Sequence, residues 1–517
     1  MLVLFVSVIL LVLILYLRNY TYWMRRNVKC ELPIPLFGNH YEVLLGLRSD
    51  TEKFTQLYEK YKNEKVIGYY RGSTPELIIR DPGIIKNILN VDFLNFHWRG
   101  AGRDPKIEPL MLNVFSIDGD LWKLLRHNLS SAFTSNKIRN MFPLIVKCTD
   151  KLQDVAHELA TNDKDVNAVD LMVRFTMEFI GACGFGLEMN TINVEKSLFL
   201  KLKEMIFTKS KKQMVLLALR QLFPKINFLK QFPISDGEIK STILDIMKIV
   251  REQRNNKPVG RNDFVDILLE LENKKIIQED SLDMKDQNGF PKKIEVEMSP
   301  ILSAAQLFIF FAAGFETAAT ATSCTIHNLA FHPEIQSKVH EEIDSVLSKY
   351  DNKICYDSVT KMSYLEMVFK ESMRIFSPGG CTTRICLKNY TIPELNLTIE
   401  AGTRLIIPIQ SLQMDAKYYD NPTEFRPERF SQESIEKRNK YVYIPFGEGP
   451  RKCLGERLGL IESLAGLVAL LQKFIIKPTS SSEKEFKRKK TAYIVQAVEG
   501  ALPVKLILRN KTNSKLC

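Results

Sequence analysis

The stretch "PFGEGPRKCLGERLG", Pro445 to Gly459, holds one cysteine behind two prolines and two glycines. Gly447, Gly449 and Pro450 dictate a tight turn. Gly455 follows, and "ERLGLIESLAGLVALLQKF" then continues with helical spacing. Cys453 therefore stands just ahead of a helix N-terminus. Free backbone N–H groups and the positive end of the helix dipole favour a thiolate there, and Arg451 and Lys452 add cations. A zinc site would need further Cys or His ligands, and the local sequence has none. A thiol nucleophile with a His base elsewhere in the chain stays open. A metal held by one protein thiolate points to heme, whose macrocycle supplies four more ligands.

Outward from this loop, helical periodicity dominates. It covers Thr51 to Tyr61, Gly119 to Phe133, Ile138 to Ala160, Val166 to Phe185, Asp236 to Asn255, Ser299 to Phe331 and Glu334 to Ser348. Strand-like pieces are short: "VIGYYRG", "PELIIRD", "RICLKNYTI", "TRLIIPI" and "PVKLIL". The expected class is mainly α with minor β. With no internal repeat or low-complexity linker, one large domain over residues 40–517 is the simplest organisation. Asn255 to Ser299 is charge-rich and reads as a mobile surface connection. Lys201 to Lys230 mixes basic and apolar residues. It reads either as an amphipathic helix pair or as a membrane-contacting surface beside a substrate entrance.

Of the 517 residues, 45% are hydrophobic and 26% charged, which is globular composition. Lys plus Arg total 72 against 60 Asp plus Glu, a net charge of +12 spread along the chain. With no zinc-finger spacing and no arginine-rich tract, nucleic acid is not an expected partner. An anionic membrane surface or an acidic protein fits better. The nine cysteines are scattered and make no CxxC pair, which argues against a secreted disulfide framework. Cys324 and His327 form one CxxH in an apolar helix, with no second pair to complete a metal site.

The chain opens with "MLVLFVSVILLVLILYL", residues 1–17, which carries no charged side chain. As a helix it spans about 25 Å, slightly short of a ~30 Å hydrocarbon core. Tyr20, Tyr22 and Trp23 are expected interfacial anchors. Arg18, Arg25, Arg26 and Lys29 all follow the stretch. The expectation is an uncleaved transmembrane signal anchor with the rest of the chain in the cytosol, rather than a cleaved signal peptide. Residues 18–39, with Pro33 and Pro35, read as a stiff linker.

Further constellations have plain structural readings when taken singly. Trp122 and Arg126 share a helical face. Ala313-Gly314-Phe315-Glu316-Thr317 places a glycine and two polar residues inside an apolar helix. Gly there costs roughly 1 kcal/mol relative to Ala, and close approach of the backbone to a flat ligand is one reason to keep it. Buried Glu316 and Thr317 are costly unless bonded or functional, although a Thr hydroxyl often bonds back to the preceding turn. Glu371 and Arg374 have ion-pair spacing in "KESMRIF", and Arg429 lies in "FRPERF".

Together these segments resemble the cytochrome P-450 monooxygenases, the heme-thiolate superfamily. Phe446-Gly447-X-Gly449-X-Arg451-X-Cys453-X-Gly455 matches its cysteine loop, and the other four segments follow in the family's order over essentially the whole chain. The match looks most like the animal microsomal branch that includes insect and vertebrate xenobiotic-metabolising members. The resemblance implies heme b (iron protoporphyrin IX) with Cys453 as metal ligand. It implies heme contacts from Trp122, Arg126, Ala313, Gly314, Arg384, Phe446, Arg451 and Gly455, and proton delivery by Thr317 and Glu316. It also implies a structural Glu371-Arg374-Arg429 network. The implied reaction inserts one oxygen atom from O2 into a lipophile, either a xenobiotic or an endogenous lipid- or hormone-like compound. The chain carries no dinucleotide fingerprint and no flavin domain. Electrons are therefore expected from an NADPH-cytochrome reductase, with cytochrome b5 a second candidate donor, on a basic face around Lys123, Arg126, Lys137 and Lys452. The expected location is the endoplasmic reticulum membrane, with the catalytic domain on its cytosolic side. A peroxide-rearranging isomerase or dehydratase would not need Thr317, and a heme sensor would not need an electron-input face. Two departures from relatives are Ser377-Pro378-Gly379-Gly380, where bulky apolar residues are usual, and Gln413-Met414, where His-Arg is usual. The glycines are expected to widen the pocket wall or to serve a positive-φ turn.

Overall fold

The computed structural model describes residues 19–187, 198–224, 226–235, 237–492 and 495–509. The anchor expected over residues 1–17 lies outside the described residues. Trp23 is fully buried, not interfacial, and its indole N–H donates to the Tyr69 carbonyl at 3.2 Å. Gly68 makes the slot: a Cβ there would come within 2.5 Å of the Trp23 ring. Tyr20 is buried beside Tyr70. The proline segment lies along the body too, with Cys30 bridged to Gly68 and Gly38 to Arg71.

Helix α1 (Asp50–Lys60) starts from a capping box of Ser49 and Glu52, which satisfies two orphan N–H groups. Strands β1 (Val66–Arg71) and β2 (Thr74–Ile79) pair as an antiparallel hairpin. Helices α2 (Gly119–Ser130), α3 (Ser135–Thr161) and α4 (Ala168–Ile180) follow. The basic-apolar stretch forms α5 (Leu198–Phe207), α6 (Lys211–Leu222) and a single turn at Asn227–Lys230. After α7 (Gly237–Gln253), the stretch read as a mobile connection is largely regular. It contains α8 (Phe264–Asn273) and a hairpin of β3 (Ile276–Lys285) with β4 (Pro291–Glu297). The many charges in that stretch are the solvent-facing side of elements that bury Phe264, Leu268 and Ile277.

Helix α9 (Pro300–Ala330) runs through the middle of the body. Ser299 caps it by accepting from the Leu302 N–H, and Pro300 presets its first turn. It is long and apolar enough to cross a membrane, yet it is mostly buried inside the protein as a core helix. Helices α10 (Pro333–Leu347) and α11 (Ser363–Ile375) lead to β5 (Thr382–Ile385) and β6 (Arg404–Ile407). β6 runs parallel to β2 and antiparallel to β5, giving a sheet of order β1-β2-β6-β5. Helix α12 (Glu456–Lys473) precedes β7 (Phe474–Pro478) and β8 (Pro503–Leu508). The architecture is mainly helical with minor sheets, as expected.

Candidate active site

The cysteine loop is built by backbone conformation. Gly447 (φ +72°) and Gly449 (φ +80°) occupy the left-handed region. A Cβ on Gly449 would also strike the Leu89 carbonyl oxygen at 2.0 Å. The Cys453 N–H donates to the Phe446 carbonyl at 2.8 Å, closing the loop ahead of α12. The Cys453 side chain is accessible although its loop lies deep in the body, so it faces an internal space. Burial pushes its thiol above the usual value; the Gly455 N–H, then Arg99 and Arg126, pull the other way. The cations acting on the sulfur are thus Arg99 and Arg126, not the sequence neighbours Arg451 and Lys452 expected to do so.

Around this space stand four guanidinium groups. Arg451 is buried, donates to the Asp118 carboxylate at 2.8 Å and lies 4.1 Å from the Trp122 ring centroid. Arg99 donates to the Arg451 carbonyl at 2.8 Å, and Arg126 to the Lys452 carbonyl at 2.7 Å. Arg384 is buried at the edge of β5 and donates to the Thr383 carbonyl at 2.8 Å. Burial, aided by Arg99 and Arg451, pushes Arg384 well below the usual arginine range. Burial brings Arg451 down to about 9 and Arg99 to about 10. Among the described residues, Nε of Arg99, Nε of Arg384, and Nε and Nη1 of Arg451 find no acceptor. Buried donors with lowered proton affinity, set against the carboxylate of Asp118, fit the two propionates of a heme.

Arg99 and Asp118 escaped the sequence reading. Asp118 precedes α2 and reads as an ordinary N-cap. It makes no capping bond: Oδ1 accepts from the Arg99 N–H and from Arg451, and Oδ2 from the Gly100 N–H. Trp122 serves by holding Arg451, a role its spacing from Arg126 did not show.

On α9, Ala313 is exposed within an otherwise buried stretch and Thr317 is half-buried, so this edge borders an open space. The Thr317 hydroxyl donates to the Ala313 carbonyl at 2.7 Å, which leaves its oxygen free to accept. Gly314 has a packing role as well as the expected one. A Cβ there would lie 2.3 Å from Ile180 Cδ1, so the glycine lets α4 pack against α9. Glu316 lines a cavity of about 540 Å³ with Lys203, Phe207, Thr320 and Lys489. Its Oε2 has no partner among the described residues. Burial pushes its carboxyl up, against a pull from Lys203 and Lys489.

Glu371 and Arg374 pair at 2.7 and 2.8 Å, both fully buried, and Arg429 Nε reaches the same carboxylate at 3.3 Å. Arg374 also donates to the carbonyls of Gln413 (3.0 Å) and Glu424 (3.2 Å). Gln413 and Met414 therefore belong to this network, and their departure from relatives bears on packing rather than on substrate. Gly380 is no pocket wall: a Cβ there would lie 2.1 Å from Thr51 Oγ1 and 2.9 Å from Gln496. Neither Gly379 nor Gly380 has positive φ, so the turn reading fails as well. The Gln496 amide instead clamps the segment by donating to the Ser377 carbonyl at 2.6 Å.

Among the described residues, no three His, Cys, Asp or Glu side chains converge to hold a metal. A family model described as Cytochrome P450 matches residues 28–504. A cytochrome P450 6B1 of Papilio polyxenes is 34% identical over 476 residues, 91% of this chain and 92% of that relative. A probable cytochrome P450 6a18 of Drosophila melanogaster is 32% identical over 97% of this chain and 98% of its own length. A cytochrome P450 6B5 of Papilio glaucus is 35% identical over 94% of this chain. With the family model spanning residues 28–504 and insect relatives matching more than nine-tenths of the chain, this protein belongs to the cytochrome P450 family of heme monooxygenases.

Proposed function

We propose that this monooxygenase oxidises a lipophile, xenobiotic or endogenous, and that Cys453 would supply the protein ligand to its heme iron. The observation that carries the assignment is the accessible Cys453 side chain in a deep loop ringed by Arg99, Arg126, Arg384 and Arg451. The bound heme supplies activation of O2, whose two atoms end in the hydroxylated product and in water, with two electrons and two protons consumed. Arg384, Arg451, Arg99 and Arg126 would hold its propionates. Thr317 accepts a hydrogen bond at Oγ1 and passes a proton across the exposed edge of α9. Glu316 links that edge to the polar cavity and takes protons from it.

Electrons reach the site from an NADPH-dependent reductase, with cytochrome b5 a second candidate, at the end of the body carrying Arg126 and Lys452. The location fitting this reading is the endoplasmic reticulum membrane, with the anchor over residues 1–17 and the catalytic body in the cytosol. Exposed apolar side chains support that orientation. They include Leu32, Leu36, Leu45 and Leu47 near the N-terminus and Val215 and Phe228 at α6 and beyond. The two groups adjoin, because Val43 and Leu44 share a cleft with Leu217 and Ala218 of α6.

The test is the absorption of the reduced CO complex in the native chain and in Cys453→His. The thiolate-type band is expected in the first and absent from the second; an unchanged band would remove Cys453 as ligand. Reconstitution with reductase, NADPH and a panel of lipophiles then reads product. NADPH-independent turnover would refute the electron source.

A further inference from the structure

The β3–β4 hairpin is fastened to α2, the helix that carries Trp122 and Arg126. Ser281 Oγ donates to Asp120 Oδ2 at 2.6 Å, and the Leu282 N–H to Asp120 Oδ1 at 2.5 Å. These contacts fall where the hairpin register breaks between Asp280 and Lys285, so the irregularity turns the strand onto the helix. Lys123 Nζ donates to the Asp280 carbonyl at 2.8 Å and lies 3.4 Å from Glu279 Oε1. His127 Nδ1 is 3.2 Å from Glu279 Oε2. Farther along, Asp283 lies 3.8 Å from buried His97. The edge facing α2 thus presents Glu279 and Asp280, with Asp283 exposed beside His97, while the hairpin's lysines include Lys293, which pairs with Asp280 at 2.7 Å.

We propose that this hairpin is an internal competitor for the electron donor: its acidic edge occupies the α2 cations that an acidic partner protein would otherwise engage. The inference rests on the electron-input reading above. Two electrostatic effects act in the same direction. Lys123 and His127 already face a carboxylate, and Glu279 and Asp283 repel an approaching acidic surface. Outside the hairpin's reach on this side stand Arg126, Lys452, which pairs with Glu456 of α12 at 2.9 Å, and Arg457. Lys452 and Arg457 are exposed, and Arg126 is half-buried. Complementary charge chiefly sets association rate, so the hairpin governs how fast the donor docks and how steeply docking depends on salt.

The experiment uses the full-length heme-loaded chain in vesicles with purified NADPH-cytochrome reductase, measuring association rate against ionic strength. Glu279→Gln is expected to raise the rate about threefold at low salt and to leave it unaltered at high salt. Lys123→Met is expected to slow association more in the Glu279→Gln background than with the native hairpin, because there the carboxylate facing Lys123 is neutralised while its bond to the Asp280 carbonyl remains. Heme content and circular dichroism establish that each variant is folded. Should Glu279→Gln prove unstable, Asp283→Asn, which leaves the Glu279 contacts in place, is expected to give a smaller increase of the same sign. An equal or slower rate in folded Glu279→Gln, or a Lys123→Met effect that is the same in both backgrounds, overturns the competitor role and leaves the electron source intact. A native chain that neither binds the reductase nor accepts its electrons overturns both.

Discussion

Arg451 lies with its guanidinium carbon 4.1 Å from the centroid of the Trp122 ring. Both are buried, so the contact is a desolvated cation–π pair of the stronger kind. It joins the cysteine loop to α2 two residues before the proposed ligand. Asp118 fixes the same guanidinium from the other side.

Trp122→Ala is therefore expected to lower heme content and leave the helical fold standing. The lost contact is worth about 0.5–2 kcal/mol. Trp122→Phe retains a ring face and should keep most of the heme. The check is the heme-to-protein ratio after purification, compared with the far-ultraviolet dichroism. Equal heme content in native and Ala chains would show that Asp118 alone orients Arg451.

Arg374→Ala should abolish folding of the heme-binding body rather than slow turnover. Glu371 would be left fully buried with only Arg429 Nε at 3.3 Å and the Arg426 N–H, a loss of up to about 3–5 kcal/mol, comparable with a domain's whole stability margin. Arg374→Lys should fare little better, since one ammonium cannot replace a forked pair and two carbonyl contacts. Soluble yield and urea midpoint measure this; a soluble, heme-replete Arg374→Ala chain would refute it.

Gly380→Ala and Gly379→Ala should part company. At Gly380 the new Cβ meets Thr51 and the clamping Gln496, which predicts destabilisation of about 1–3 kcal/mol. At Gly379 the nearest neighbour is the Pro445 carbonyl at 3.6 Å, ordinary contact, so thermal stability should barely move. Thermal melts of the two variants decide it, and equal melting points would remove the packing argument.

Thr317→Ala should keep heme and substrate binding but lower product formed per NADPH roughly tenfold, with the balance released as hydrogen peroxide. Peroxide and product assays on the same reaction measure the split. Native coupling in the variant would mean that the Thr317 hydroxyl only bonds back to Ala313.

Glu462 on α12 is buried, its Oε1 lacks a partner among the described residues, and burial alone pushes its carboxyl well above the usual range. Above the ordinary carboxyl range and below that raised value, the folded chain keeps a proton that the unfolded chain has lost. Its contribution is complete at low pH and is lost as pH rises, by about 1.4 kcal/mol per pH unit within that window. Glu462→Gln should flatten the decline. Urea midpoints at about pH 5 and about pH 8 test this. A native chain no weaker at the higher pH would contradict it.

The sequence by itself determined what depends on local spacing. The glycines and prolines around Cys453 specify the turn, since few other residues reach those conformations. The apolar period of Pro300–Ala330 specifies the central helix, and Glu371 with Arg374 a single ion pair three residues apart. What depends on approach between distant segments was decided only by the tertiary structure. Gly314 gives no sign of Ile180 packed against it, and Gly380 reads as a pocket wall until Thr51 and Gln496 fill its side. Arg99 and Asp118 carry no local signal, because their partners lie on the cysteine loop more than 300 residues away. Trp23 reads as a membrane anchor until the slot over Gly68 buries it. Side-chain type sets what a residue can bind, but burial and the identity of its neighbours decide which of those bonds it makes, and both arise only when the chain closes on itself.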